Sequence, residues 1–307
     1  MDFLSYLPFT LPHPALLLAG VLEGMVLAAV LALTALGLSI VFGIMRVVNV
    51  AHGEFYMLGA VLAWFVTHTV TGTVGGPPWL GFAVALIVAP LIVAAIAAAT
   101  DWLVLKRLDY DPEATIVATI GILYILQQLA LTFYGPDARP VEAPFDFRVQ
   151  TPYFGYSGYK LCVIGAAIVL MLIVWLVLTR TKIGLVMRAT QYDRETAQAF
   201  GIPVDKVYAG VFALGAGLAA IGAVLIVPIQ QAHYLMGGDP LLLSFIVVIL
   251  GGLGSLKGTL VAAIFIGLSD GIISTLYEPT LAKILATLLV AMVLVFRPQG
   301  LFGARAA

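Results

Sequence analysis

The sequence predicts an all-α polytopic membrane protein with eight or nine transmembrane or re-entrant helices. Three observations carry that class. Of 307 residues, 62% are hydrophobic and only 10% charged, where a soluble domain carries about a quarter charged. The apolar residues gather into runs of the length a bilayer demands, about 17–25 residues. The basic residues fall mostly between alternate runs. A soluble globule is excluded. Cys162 is the one cysteine, so an internal disulfide and a cysteine metal cage are excluded as well.

The opening Met1-Asp2-Phe3-Leu4-Ser5 lacks the basic start of a cleaved signal peptide, so the first apolar run is expected to be retained. Pro8, Pro12 and Pro14 keep the leading segment from forming one clean helix. The spans then read Leu16–Met45, Glu54–Val70, Leu80–Leu105, Thr115–Tyr134, Leu161–Leu178, Val207–Val227, Leu241–Leu253, Thr259–Leu276 and Leu281–Phe296. The first is longer than one crossing requires and must tilt or protrude. The seventh is short and ends in Gly251-Gly252-Leu253-Gly254-Ser255, the pattern of a broken or re-entrant helix. Ala94/Ala98, Ala95/Ala99, Ala213/Gly217 and Gly215/Ala219 are small pairs four apart, suited to close helix packing.

Orientation follows from lysine and arginine. If the first span runs inward, Arg46, Lys106, Arg107, Arg180, Lys182, Arg188, Arg194, Lys206, Lys257, Arg297 and Arg305 face the cytoplasm. Arg139, Arg148, Lys160 and Lys283 then face out. That places 11 of the 15 basic residues inside, as the positive-inside rule requires.

The sharpest break in the apolar pattern is Asn49-Val50-Ala51-His52-Gly53-Glu54. An amide, an imidazole, a glycine and a carboxylate stand where lipid offers no hydrogen bonds. Such groups survive at membrane depth only when buried in protein or lining an aqueous route. The stretch is therefore either pathway lining or a short turn at the membrane surface. Gly251 to Lys257 precedes a span in the same way. Polar, glycine-interrupted segments in both halves point to a route near a pseudo-symmetry interface. That makes Asn49, His52, Gly53, Glu54, Gly251, Gly252, Gly254, Ser255 and Asp270 the candidate pathway residues. Glu23, Asp101 and Asp270 lie within spans and are either structural pairs or pathway groups.

Two loops stand out. Residues 135–159 form the long outer loop, with four prolines and several aromatics; it is a cap, a docking surface or a linker. Residues 179–206 form the longest and most charged inner loop. Asp193 suits an N-cap, Gly201 a C′ position, and Pro203 forbids continuation, which predicts a helix over Arg194–Phe200. A helix of that length is unstable alone. Ala197 and Phe200, three apart, give it an apolar face that packs either on the protein's own membrane ends or on another subunit.

Four stretches carry a family resemblance. Gly43-Ile44-Met45-Arg46-Val47-Val48-Asn49-Val50-Ala51-His52-Gly53-Glu54 resembles the signature of LivH-type permeases of branched-chain amino acid ABC importers. Arg188 to Ile202, Leu250 to Gly258 and Arg297 to Gly303 are similar to further segments of that family, in the same order. The matches extend from about Leu22 to Gly303. The resemblance implies one permease domain over residues 1–307 of a multi-pass protein of the bacterial inner membrane. With the lysine and arginine distribution, the expected N-terminus is periplasmic and the C-terminus cytoplasmic. Its partners would be a second permease subunit of LivM type, two cytoplasmic ABC ATPases and a periplasmic binding protein, with no nucleic acid. ATP and Mg would belong to the ATPases, and this chain would hold no cofactor. Arg188, Asp193, Glu195, Ala197, Phe200 and Gly201 would couple to the ATPase, with Ala197 and Phe200 filling its groove. Exposed rim ion pairs add only about 0–1 kcal/mol, so the packing side chains should matter more. Relatives also carry urea, short amides and other small solutes, so the resemblance specifies the machine more closely than the solute.

Two other classes are weighed against this one. An ion-coupled secondary transporter would use His52, Glu54 or Asp270, but has no need of a docking helix. An intramembrane enzyme would need a nucleophile–base or metal pair, and none is apparent; the four histidines lack metal-ligand spacing, so no metal and no catalytic residue is expected. Gly254-Ser255-Leu256-Lys257-Gly258 has the wrong spacing for a phosphate-binding loop.

Overall fold

All nine spans read from the sequence are helical in the computed structural model, which describes residues 14–297 and 300–302. The expectations for Met1–Ser5, Pro8, Pro12 and Arg305, and part of the closing motif, lie outside the described residues. The helices are α1 (Pro14–Met45), α2 (His52–His68, prolonged by a wide turn over Thr69–Thr73), α3 (Pro78–Leu103) and α4 (Pro112–Phe133), then α5 (Gly158–Arg180), α6 (Lys182–Tyr192), α7 (Arg194–Ala199) and α8 (Val204–Ile226), and last α9 (Gly238–Gly251), α10 (Leu256–Leu276) and α11 (Pro279–Phe296). Among the described residues seven are long and apolar enough to cross a membrane, and α9 and α11 are shorter apolar helices. The chain is a multi-pass, all-α membrane protein.

Local sequence explains where the helices start. Asp111 caps α4, its Oδ1 accepting from Ala114 N at 2.8 Å, with Pro112 in the first turn where its missing N–H costs nothing. Ser255 caps α10 and Thr181 caps α6 in the same way. Residues 179–206 hold a second helix, α6, in addition to the one expected over Arg194–Phe200.

Lipid supplies no hydrophobic drive between helices, so close packing of small residues must hold them. α1 and α10 run antiparallel along such a seam. A Cβ at Gly24 would stand 2.8 Å from the Gly267 carbonyl oxygen, and one at Gly20 2.9 Å from Ile272 Cα. Gly215 of α8 meets Gly37 of α1, and Gly217 faces Ala94 of α3. The Ala95/Ala99 pair, by contrast, faces outward. As a result α1 is central: 83% of its most apolar stretch is buried, against 17% for α4 at the periphery.

Residues 135–159 contain a small antiparallel hairpin, β1 (Arg148–Gln150) and β2 (Gly155–Ser157), with Val149 opposite Tyr156. The bundle thus has a hairpin end and an opposite end carrying α6 and α7.

Candidate functional site

The polar motif is not a surface turn. α1 stops at Met45 because Arg46 adopts the left-handed conformation (φ 57°), uncommon for a residue with a Cβ. Residues 46–51 then run back beside α1. His52 Nε2 donates to the carbonyl oxygen of Thr34 at 2.9 Å, about three turns, or roughly 16 Å, short of the end of α1. The backbone N–H of Val50 donates to Thr119 Oγ1 at 3.2 Å, and Gln127 Nε2 donates to Glu54 Oε1 at 2.8 Å. Asn49, His52 and Glu54 are each at most 1% exposed. The motif begins α2 inside the bundle and ties α4 to it.

A second interior break faces the first. Between α8 and α9, residues 227–237 leave helical geometry and fold inward. A Cβ added at Gly53 would run into the Gly237 carbonyl oxygen and stand 2.8 Å from Leu241 Cβ; one added at Gly237 would run into the Gly53 carbonyl oxygen. The two breaks therefore touch backbone to backbone, which only glycine allows. The spatial counterpart of Asn49–Glu54 is this segment rather than Gly251–Ser255. The latter forms the α9–α10 turn at the α7 end, with Gly252 and Gly254 at positive φ (101° and 77°). There Leu301 N and Phe302 N donate to the carbonyls of Leu250 and Gly251 at 2.9 and 3.1 Å, satisfying orphan groups at the end of α9.

The second break is clamped from the hairpin side. Ala232 exchanges two backbone hydrogen bonds of 2.9 Å with Arg139, and Tyr134 Oη donates to its carbonyl at 2.8 Å. The Arg139 guanidinium lies 4.4 Å from the Trp64 ring centre and 4.7 Å from that of Tyr134, within cation–π range.

Above the breaks lies a cavity of about 430 Å³. Thr34 is the deepest α1 residue lining it, beside Tyr56 of α2. Val30, Leu31, Met236 and Leu243 give it an apolar wall; Gln230, His233, Asp270 and Ser274 add polar groups. Its rim carries Asp239, paired with Lys283 at 2.6 Å, and Glu23, paired with Lys160 at 2.5 Å. Of the sequence-predicted pathway residues, Asp270 lines this cavity. Asn49, His52, Gly53 and Glu54 lie below it, and Gly251, Gly252 and Ser255 at the far end. Gly254 lines a smaller pocket of about 120 Å³ together with Arg188 and Gln191 of α6 and Gly43 of α1. Asp101 is buried against Tyr110, whose hydroxyl lies 3.4 Å from its Oδ2.

At the opposite end, α7 is as the sequence reading expects at its start. Asp193 Oδ1 accepts from Thr196 N at 3.1 Å and Oδ2 from Thr196 Oγ1 at 2.6 Å. The side-chain bond from Thr196, then its backbone bond, hold the Asp193 carboxyl below the ordinary carboxylate range. Gly201 follows with φ 81°. The expected shared face of Ala197 and Phe200 is a correction. Ala197 is 4% exposed and packs within the chain, while Phe200 is 83% exposed. Helix α7 ends at Ala199 and turns, which separates the two. Ala197 therefore cannot fill a partner's groove. At the other end of α7, the last residue of α6, Tyr192, is 88% exposed, and Glu195 is exposed on α7 itself.

Sequence reasoning missed Tyr192 and also Arg194, which fastens the platform. Its Nη2 pairs with Asp109 at 3.0 Å, and its guanidinium lies 5.5 and 5.7 Å from the rings of Tyr110 and Tyr208. A lone aromatic just before a cap in a charged loop was the available signal for Tyr192; for Arg194 there was none. Gln127 was missed too. Gln127→Leu is expected to lower stability by about 1–3 kcal/mol, because it leaves the buried Glu54 carboxyl without its donor; the melting temperature in detergent measures it.

The family described as branched-chain amino acid transport system / permease component matches residues 20–296. The high-affinity branched-chain amino acid transport system permease protein LivH of Salmonella typhimurium is 25% identical over 295 residues, covering 92% of this chain and 94% of that protein. BraD, the corresponding permease protein of Pseudomonas aeruginosa, is 26% identical over 300 residues, with the same coverage. A probable LivH of Methanocaldococcus jannaschii is 27% identical over 303 residues, 92% of each chain. No solved structure matches significantly. With an interior made of two touching breaks beneath a mixed cavity, and a match running through almost every described helix, this chain belongs to the family of branched-chain amino acid transport permease components.

Proposed function

We propose that this chain is one permease subunit of an ATP-binding-cassette importer in the bacterial inner membrane, and that it passes branched-chain and other hydrophobic amino acids inward. The hairpin end faces the periplasm, where a binding protein delivers solute to the cavity. The α7 end faces the cytoplasm, where two ATPases dock, and a LivM-type permease completes the dimer. ATP and Mg stay with the ATPases.

The single observation that carries this reading is the platform. A capped helix of six residues, too short to fold alone, lies between Tyr192 and Phe200, both bare to solvent at the end opposite the cavity. A self-contained carrier has no use for two bare aromatics there. A physical line supports transmission from that platform. Arg194 grips Tyr208 on α8, α8 runs to the break at 227–237, and that break bears on Gly53 at the cavity's base. Movement of α7 would thus reach both breaks together.

The reading is tested by reconstitution with the partner subunits in proteoliposomes. Leucine uptake should require ATP and the binding protein and should persist when a protonophore collapses the proton gradient at constant ATP. Collapse of uptake under the protonophore would favour an ion-coupled carrier, and uptake of urea or short amides in place of leucine would reassign the solute.

A further inference from the structure

The cavity between α1, α9, α10 and α11 carries charges of both signs against an apolar wall. We propose that it is a binding site for the dipolar form of a hydrophobic amino acid, with Asp270 receiving the α-ammonium and Lys283 the α-carboxylate. The inference rests on the importer reading and extends it by giving the permease its own solute selectivity.

The charges lining the cavity sort themselves by what already holds them. Glu23 is taken by Lys160 at 2.5 Å. Lys283 touches Asp239 at 2.6 Å, with the two side chains 43% and 68% exposed. A pair so open to solvent is worth about 0–1 kcal/mol, and an ammonium has three donors, so Lys283 can hold a second carboxylate without releasing Asp239. Asp270 is half-buried on α10, and Ser274 Oγ, one turn away, donates to its Oδ2 at a long 3.5 Å. An ionisable group within a span is expensive unless it meets a partner or water. Asp270 therefore has acceptor capacity to spare and faces the same cavity as Lys283 on the neighbouring helix.

The same cavity has an apolar wall, formed by Val30 and Leu31 of α1 and Leu243 of α9, with Met236 from the second break. A volume of about 430 Å³ is within the usual range of small-molecule sites, about 300–1,000 Å³. A neutral amide would leave Asp270 without a cation and the spare donors of Lys283 unused; a carboxylic acid or an amine would engage one of the two. Only a solute with both charges and an apolar side chain uses every part of the cavity.

The test uses the complete importer in nanodiscs, without nucleotide or binding protein, and radiolabelled leucine as probe. Wild type should bind leucine saturably, and leucinamide and 4-methylpentanoate should each compete at least about tenfold more weakly than leucine. Asp270→Asn and Lys283→Gln should each weaken binding about tenfold or more, while Asp270→Glu restores part of it and Gly210→Ala, whose added methyl meets nothing within 4 Å, leaves it unchanged. Gel filtration verifies that each variant is intact, and the conservative substitution stands in for any that is not. Equal competition by the three compounds, wild-type binding in both charge variants, or no saturable binding up to about 10 mM would overturn the proposal. The same preparations, given ATP and binding protein, separate the two readings. Normal leucine uptake by both charge variants sinks the site and leaves the importer standing; no leucine uptake by wild type sinks the importer reading.

Discussion

Gly53→Ala is expected to destabilise the folded protein by about 3 kcal/mol or more. The added methyl would meet the Gly237 carbonyl oxygen and approach Leu241 Cβ to 2.8 Å. Both neighbours belong to segments fixed elsewhere. Gly237 follows the Ala232 clamp, and His52 is anchored on Thr34. Neither side can move away cheaply. Overpacking of a filled core costs about 1–3 kcal/mol when side chains can adjust, and here backbone would have to move, so the loss should reach or pass the top of that range. Gly210→Ala is the control. A Cβ there meets nothing within 4 Å, and alanine is the better helix former, so its melting temperature in detergent should equal or exceed that of wild type. A Gly53→Ala protein as stable as Gly210→Ala would mean that the two breaks do not press on each other.

Phe200→Ala is expected to abolish most ATP-driven uptake while the protein inserts and purifies normally. The side chain is 83% exposed, so its removal leaves no cavity and the fold should not notice. Buried aromatic anchors of interfaces are worth about 2 kcal/mol or more, roughly 30-fold in docking affinity. Tyr192→Ala should act in the same direction, and the double variant should release the ATPases during purification. Asp193→Asn should retain uptake and Asp193→Ala should lose part of it, since asparagine caps a helix as well as aspartate does and alanine does not. The carboxyl's folded value is depressed, so the capping contribution is present above the ordinary carboxylate range and fades as pH falls through the folded value. ATP hydrolysis and uptake measured together decide the matter: wild-type uptake by the Tyr192→Ala/Phe200→Ala protein would remove the platform from the mechanism.

The small platform shows how far local reading reaches. Asp193, Gly201 and Pro203 mark the ends of a helix through backbone chemistry that operates within a few residues, so its bounds were legible. Which of Ala197 and Phe200 faces inward was not. That depends on Arg194 reaching Tyr110 and Tyr208, which come from the α3–α4 connection and from α8. Ion-pair partners were equally out of reach: Glu23 meets Lys160 from 137 positions away.

The order and approximate ends of the apolar helices, the membrane class and the presence of a polar interruption after the first span were determined by sequence alone. These properties follow from run length, composition and capping residues, each of which acts over one or two helical turns. Only the tertiary structure decided that the interruption turns inward instead of resting at the surface, and that its counterpart is the segment at 227–237. The reason is steric. Gly53 and Gly237 are glycines because their backbones touch, and a contact between such distant positions leaves no periodicity for either stretch to display.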